Sequence, residues 1–196
     1  MLNSSLNPEL DAQSRTRMFE RRQHLPLSSE QLWQIESGVV RTLTWTEEGA
    51  LITLGLWGVG DVVGRALSSS DPYLAECLTA VSATPLSRNT WYQATDALIR
   101  HARVSNELLE IIRYGNAEVS FLRLLTWLAI RFGHVDGQGW QIDLRLTHQE
   151  LAEISGFTRV TVTRLLKTFE EQGLIQRNQR QILILPENQP FWHYEI

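Results

Sequence analysis

The run from Thr147 to Leu166, THQELAEISGFTRVTVTRLL, decides how the rest of the chain is read. Thr147 and Glu150 stand three residues apart, the spacing of a capping box, so a helix can begin there with two backbone donors satisfied. Leu151, Ala152 and Ile154 give that helix a small apolar side. Gly156 stops it where a sharp turn of positive φ is needed, and Thr158 can cap the helix that follows. In that second helix Val162, Leu165, Leu166 and Phe169 recur at i, i+3, i+4 and i+7, which makes one buried stripe. The opposite arc carries Val160, Thr163, Arg164 and Lys167, with Arg159 on its shoulder and Glu171 as the one acidic exception. A small residue, a glycine four positions on and an apolar anchor six further on, between two capped helices, is the spacing of a helix-turn-helix. The competing reading is an ordinary helical hairpin on a larger core, which requires neither both caps nor the basic outer face.

What lies downstream extends the motif. Gly173 is placed as a C′ stop. LIQR, a polar NQR turn and QILIL then make a short hairpin, with Arg177 and Arg180 near its tip. A helix-turn-helix with such a hairpin is a winged helix. Its second helix would enter the major groove of DNA and its wing would rest near phosphates.

Composition sets the bounds. The chain has 196 residues, 43% hydrophobic and 20% charged, which suits one large or two small soluble domains. A net charge of −4 argues against nucleic-acid binding through bulk charge. The charge is uneven, however. Gln141 to Leu185 holds six Lys/Arg (145, 159, 164, 167, 177, 180) and five Asp/Glu (143, 150, 153, 170, 171), so that segment is +1 and the remainder −5. Cys77 is the single cysteine, which excludes an intrachain disulfide and fits a reducing compartment. The N-terminus lacks an apolar core of signal-peptide length, and no run approaches the roughly 18 apolar residues of a membrane span. The expectation is a cytoplasmic protein with no membrane partner.

Working back towards the N-terminus, residues 1–16 read as a flexible polar tail. Residues 17–90 read as short strands punctuated by glycine: LWQI, VVRTLTW after Gly38, a turn at Glu47-Glu48-Gly49, then ALITLGLW and GVGDVVG. Trp33, Trp45 and Trp57 are spaced twelve apart, as core or rim residues of successive strands would be. Residues 91–116 read as a long helix and a hinge. Ala102, Ser105, Leu109 and Ile112 form one stripe; His101, Val104, Leu108 and Ile111 form another. Two stripes mean packing on two sides, one against the chain's own roll and one against a second subunit. Tyr114-Gly115-Asn116 interrupts the helix as a hinge. In residues 117–196, Phe121, Leu124, Leu125, Leu128 and Phe132 mark another helix, ended by Gly133; HVDGQG reads as a loop, and WQIDLRL leads into Thr147. The tail after Pro186 is rich in aromatics: Phe191, Trp192 and Tyr194.

In this order of β-roll, long helix, hinge and winged helix, the sequence resembles the Crp/Fnr family of bacterial transcription regulators over nearly its whole length. The match is strongest from Ile142 to Leu185. TRVTVTRLL at Thr158 to Leu166 is similar, almost letter for letter, to the recognition helix of the cyanobacterial nitrogen-control regulator, and IDLRLTHQELAE before it is close as well. In the roll, ESGVVRTLTWTEEGALITLGLWGVGDVVG has the family's strand–Gly–strand pattern and its GDxxG turn. The resemblance implies an α+β fold with an N-terminal antiparallel β-roll of cyclic-nucleotide-binding type, a long dimerisation helix and a C-terminal winged helix-turn-helix. It implies a homodimer reading double-stranded DNA at two half-sites about one helical turn apart, and contact with RNA polymerase if the protein activates. It implies too that roll ligands tilt the winged helices through the hinge. By position, Arg159 would read a guanine by its O6/N7 edge, Arg164 would read a base or a phosphate, and Val160 would touch a thymine methyl. Those residues favour a palindrome with GTA...TAC-like arms. Thr147, His148, Gln149 and Thr158 match the family's phosphate contacts at helix N-termini. Thr161, Thr163, Lys167, Arg177 and Arg180 complete the expected DNA-binding set.

The effector pocket departs from the family pattern. Cyclic-nucleotide binders carry Gly-Glu on the turn and Arg-Ser soon after; here Gly64-Arg65 and Leu74-Ala75 stand at those places. Cyclic AMP is therefore disfavoured, as is a 2-oxoglutarate site that would use the same missing arginine. Two readings of Arg65 stand side by side, an anion partner and a solvated surface charge. Ser105 and Asn106 align with polar helix residues that touch the nucleotide base in the cyclic-AMP receptor, or are tolerated at the dimer seam. No cofactor is expected. His24, His101, His134, His148 and His193 are scattered without metal spacing, and no P-loop, GxGxxG or GxSxG occurs, which disfavours an enzyme and a metal site. A different class of reading, an effector-sensing or protein-interaction module whose winged helix has lost DNA, is opposed by Arg159, Arg164 and Lys167.

Overall fold

The computed structural model describes residues 15–179 and 181–185. The expected tail therefore lies almost wholly outside the described residues, as do Arg180 and the aromatic C-terminal segment. Contacts divide the chain into two units that meet between Val104 and Ser105, inside one long helix.

The first unit is built on two antiparallel sheets, as expected of the roll. β1 (Arg17–Phe19), β2 (Gln31–Ser37), β5 (Val62–Val63) and β7 (Val81–Ser87) pair in the order β1-β7-β2-β5, and β3 (Val40–Trp45), β4 (Leu51–Trp57) and β6 (Leu74–Cys77) in the order β4-β3-β6. Alternation drives β7, where Val81, Ala83 and Pro85 are buried and the residues between are half-buried. Gly38 (φ +83) makes the β2–β3 turn, where a Cβ would also stand 2.1 Å from the carbonyl oxygen of Ala80. Of the three spaced tryptophans, Trp33 and Trp57 are core and Trp45, at the far end of its strand, is a rim residue at 39% exposure.

One constellation joins both sheets to the helix. The Trp57 indole N–H donates to Thr42 Oγ1 (3.0 Å), and its ring stacks on His101 at 3.7 Å and 5°. The Nδ1 of His101 lies 3.0 Å from the Val62 carbonyl oxygen. Beside it Arg100 donates to Asp61 Oδ1 (3.2 Å) and to the Gly60 carbonyl (2.7 Å), while Asp61 Oδ2 accepts from the Gly58 N–H (2.8 Å). The GDxxG turn is thus held by a buried carboxylate. Burial of its ring holds His101 below the ordinary histidine pKa, against the opposing pull of Val62 and Asp61.

After a 3-10 segment (Arg88–Ala94), helix α1 runs from Thr95–Arg113. Its start is later than periodicity suggests, because the Trp91 region winds more tightly before the α-helix begins. Val104, Leu108 and Ile111 are buried, whereas Ile99 and Leu109 stay 48% and 49% exposed.

The second unit contains the last turns of α1, α2 (Ala117–Phe132), α3 (His148–Ser155), α4 (Arg159–Glu171) and one four-stranded sheet, in which β10 (Ile175–Asn178), β11 (Gln181–Ile184), β9 (Gly139–Ile142) and β8 (Gly133–Asp136) pair in that order. Tyr114-Gly115-Asn116 does break the helix, and Asn116 caps α2 by accepting from the N–H groups of Glu118 and Val119. The break is bridged: Trp127 Nε1 donates to Glu107 (3.1 Å), Ser120 Oγ to the Ile111 carbonyl (2.8 Å), and the Arg123 guanidinium lies 3.8 Å over the Tyr114 ring.

One local expectation is corrected here. HVDGQG is not a loop: β8 (Gly133–Asp136) and β9 (Gly139–Ile142) form a hairpin that extends the wing sheet, and β9 pairs with β11 (Gln181–Ile184), itself paired with β10 (Ile175–Asn178). Gly133 ends α2 as the sequence suggests, in extended rather than left-handed backbone. Its φ is −144, and it is small because a Cβ would stand 2.0 Å from the Gln141 carbonyl oxygen and 2.6 Å from that of Ala129.

Candidate nucleic-acid interface

The local sequence builds the motif as its spacing requires. Thr147 Oγ1 accepts from the Glu150 N–H (3.1 Å) and Glu150 Oε2 accepts from the Thr147 N–H (2.6 Å), closing the capping box that starts α3. Gly156 takes the left-handed conformation (φ 74) and donates its N–H to the Ala152 carbonyl. Thr158 Oγ1 accepts from the Thr161 N–H (3.1 Å) and starts α4. Val162, Leu165, Leu166 and Phe169 are all buried. Phe121 of α2 lies 6.2 Å from both Phe157 and Phe169, so one ring from the preceding helix anchors the corner between α3 and α4.

That burial leaves the other arc of α4 in water. Arg159, Val160, Thr163, Arg164 and Lys167 are exposed, and Val160 is 79% exposed. An isolated valine so bare on a short helix contributes nothing to the core; what it offers is a methyl surface. Lys167 forms an i,i+4 pair with Glu171 at 3.5 Å, while Arg159 and Arg164 enter no salt bridge among the described residues. A cavity of about 400 Å³ separates the start of α3 from the wing, and Thr147, His148, Gln149, Arg159 and Arg177 are among its lining residues. Residues 30 positions apart in sequence are thereby gathered on one polar, partly basic cleft.

Several side-chain bonds at and around this cleft are not read from periodicity. The His148 Nδ1 lies 2.9 Å from Thr163 Oγ1, and Thr163 Oγ1 donates to the Arg159 carbonyl at 2.9 Å. Arg177 grips Glu170 with Nη2 at 2.5 Å and Nε at 3.1 Å, which holds the Glu170 carboxyl below the usual carboxylate range. The arginine expected to be a wing contact is thus first a brace between the β10–β11 hairpin and α4. Its only sequence signal is the pair of opposite charges flanking the Gly173 turn. Gln149 donates to Glu153 (3.0 Å).

A model of the Crp-like helix-turn-helix domain matches residues 121–189. The chain is 47% identical over 170 residues to the regulatory protein CysR of Synechococcus elongatus, covering 85% of this chain and 82% of that one. The chain belongs to the Crp/Fnr family of transcription regulators. The global nitrogen regulator of the same organism is 29% identical over 175 residues, covering 80% of this chain and 78% of that one. Among solved structures, a transcriptional regulator of the CRP family from Thermus thermophilus superposes with a TM-score of 0.76 at 25% identity, covering 86% of this chain and 91% of that one. As a Crp/Fnr protein the chain is a DNA-binding transcription regulator of α+β fold, with a β-roll followed by helices and a winged helix-turn-helix. Among the described residues no helix is long and apolar enough to cross a membrane.

The residues at effector positions are placed as follows. Gly64, in extended backbone, is packed so closely that a Cβ would stand 2.6 Å from Leu32 Cδ2 and 2.9 Å from the Gln31 carbonyl oxygen. Arg65 donates to the carbonyls of Ser68 (3.3 Å) and Ser70, and its guanidinium lies 6.0 Å from the Tyr73 ring centroid. At the second pair of positions, Leu74 is half-buried and Ala75 fully buried on β6. Ser105 is half-buried and Asn106 exposed on α1.

Proposed function

We propose that this Crp/Fnr regulator acts in the cytoplasm as a homodimer on a palindrome with GTA...TAC-like arms. Arg159, Val160 and Arg164 read bases, and Thr147, His148, Gln149, Thr158, Thr161, Thr163, Lys167, Arg177 and Arg180 hold phosphates or support the readers. The observation that carries this is the outer arc of α4: two arginines outside any salt bridge among the described residues flank a valine exposed at 79%. Arginine suits the guanine edge and valine the thymine methyl. On α1, exposed Ile99, Ala102 and Leu109 with half-buried Ile112 support the dimer seam.

The division into an N-terminal tail (1–16), roll (17–90), dimerisation helix with hinge (91–116) and winged-helix domain (117–196) is the organisation we assign. Cyclic AMP is not the effector on this reading, because the second pair of positions offers only Leu74 and Ala75. Anion binding near Gly64, with Ser105 and Asn106 contributing, would require Arg65 to release the carbonyls of its own loop. The protein works as a regulator, not an enzyme, and meets RNA polymerase if it activates.

The test is a salt titration of binding to a GTA/TAC duplex. Several phosphate contacts make affinity fall steeply with salt. Arg159→Ala costs about 1–3 kcal/mol and relaxes preference at one base pair, whereas Lys167→Ala weakens all sequences alike. A shallow slope, or unchanged sequence preference in Arg159→Ala, contradicts the assignment.

A further inference from the structure

His148 is the polar joint between the two helices of the motif. Its Nδ1 contacts Thr163 Oγ1 at 2.9 Å, and that hydroxyl donates to the Arg159 carbonyl, also at 2.9 Å. A hydroxyl has one proton. While Thr163 gives it to Arg159, the contact with His148 is a hydrogen bond only if Nδ1 carries hydrogen. Two ring forms satisfy this: the neutral Nδ1–H tautomer and the imidazolium. They differ only at Nε2, which presents a lone pair in the first and a charged donor in the second. A phosphate oxygen is repelled by the first and bound by the second.

The surroundings favour the neutral form until DNA arrives. Arg159 of α4 and Arg177 of β10 face the ring, and on α3 itself Glu150 bonds the Thr147 N–H while Glu153 accepts from Gln149. Arg177 is paired with Glu170. Burial first, then the charges of Arg177 and Arg159, hold His148 below the ordinary histidine pKa. A phosphate brought to the cleft offsets the charges of Arg177 and Arg159 and attracts the imidazolium directly.

We propose that His148 is a phosphate-binding residue of the DNA interface that takes up a proton as the phosphate backbone arrives, so that affinity for DNA rises as pH falls through neutrality. The inference rests on the DNA-interface reading above. The complex binds more protons than the separated partners, and association is therefore favoured at lower pH.

The experiment compares wild type with His148→Asn, whose amide keeps a donor for Thr163 but does not titrate. Affinity of the full chain for a GTA/TAC duplex is followed by fluorescence anisotropy from pH 6 to 8 at fixed ionic strength. His134, which lies 2.9 Å from Asp143, is present in both proteins and cancels in the comparison. Wild type loses roughly 3- to 10-fold in affinity across that range and His148→Asn less than roughly 2-fold. Equal pH dependence in the two proteins overturns the proposal. Calorimetry of wild type in buffers of different ionisation enthalpy reads proton uptake without any variant, and zero uptake overturns it equally. If wild type binds at no pH, the interface reading itself fails and the role of His148 with it.

Discussion

On the DNA interface proposed for α4, Val160 is the residue whose chemistry excludes most. A valine cannot accept a hydrogen bond from a cytosine amine, and its methyl groups, 79% exposed, suit a thymine methyl. Val160→Glu should shift preference at the facing base pair from thymine to cytosine, read by competition between duplexes that differ at that pair. No shift would remove Val160 from the readout. Its neighbours show why single residues can mislead. Arg177 has the sequence position of a wing cation and is tied to Glu170; Arg65 has that of an anion partner and already donates to the carbonyls of its own loop. Sequence supplies the charge of a side chain, but not where its donors are spent.

At the scale of elements, two glycines make a contrast that stability can check. Gly156 has φ 74 and open space around its Cα, so Gly156→Ala suffers backbone strain alone, about 1 kcal/mol. Gly133 has an ordinary extended backbone, but an added Cβ would meet two carbonyl oxygens, at 2.0 and 2.6 Å. Gly133→Ala should therefore be the more destabilising of the two, by about 1–3 kcal/mol, because β9 must move away from the end of α2. Thermal melts of both variants decide this, and the reverse order would contradict it. The pair also shows what sequence could reveal. Caps, the Gly156 turn and the buried stripe of α4 depend on neighbours within a few residues, and all were legible. The β8–β9 hairpin was not: its turn at Gly137-Gln138 is local, but the short polar run around it lacks an alternating apolar pattern, and β9 gains its second neighbour from β11, some 40 residues away. In the roll, strands and turns were legible but their sorting into two sheets was not, since β1 pairs with β7 across more than 60 residues. The His148–Thr163 bond depends on the angle between α3 and α4, which spacing alone does not fix.

For the whole molecule, the central question is what covers the outer stripe of α1. Ile99 and Leu109 stand half in water on a helix whose other side buries Val104, Leu108 and Ile111. A second copy of the same helix would cover it and would set two recognition helices on one duplex. Leu109→Glu should leave helix content by circular dichroism unchanged, shift sedimentation from dimer to monomer, and abolish tight binding to a two-armed site. A variant that remains dimeric would move the seam elsewhere.

The most direct test of a dimeric, sequence-specific regulator is selection of bound duplexes from a random pool by the purified chain, with and without small anions and nucleotides. The account predicts a palindrome whose arms read GTA and TAC. An enriched site with a single arm, or no enrichment under any of these conditions, would contradict it.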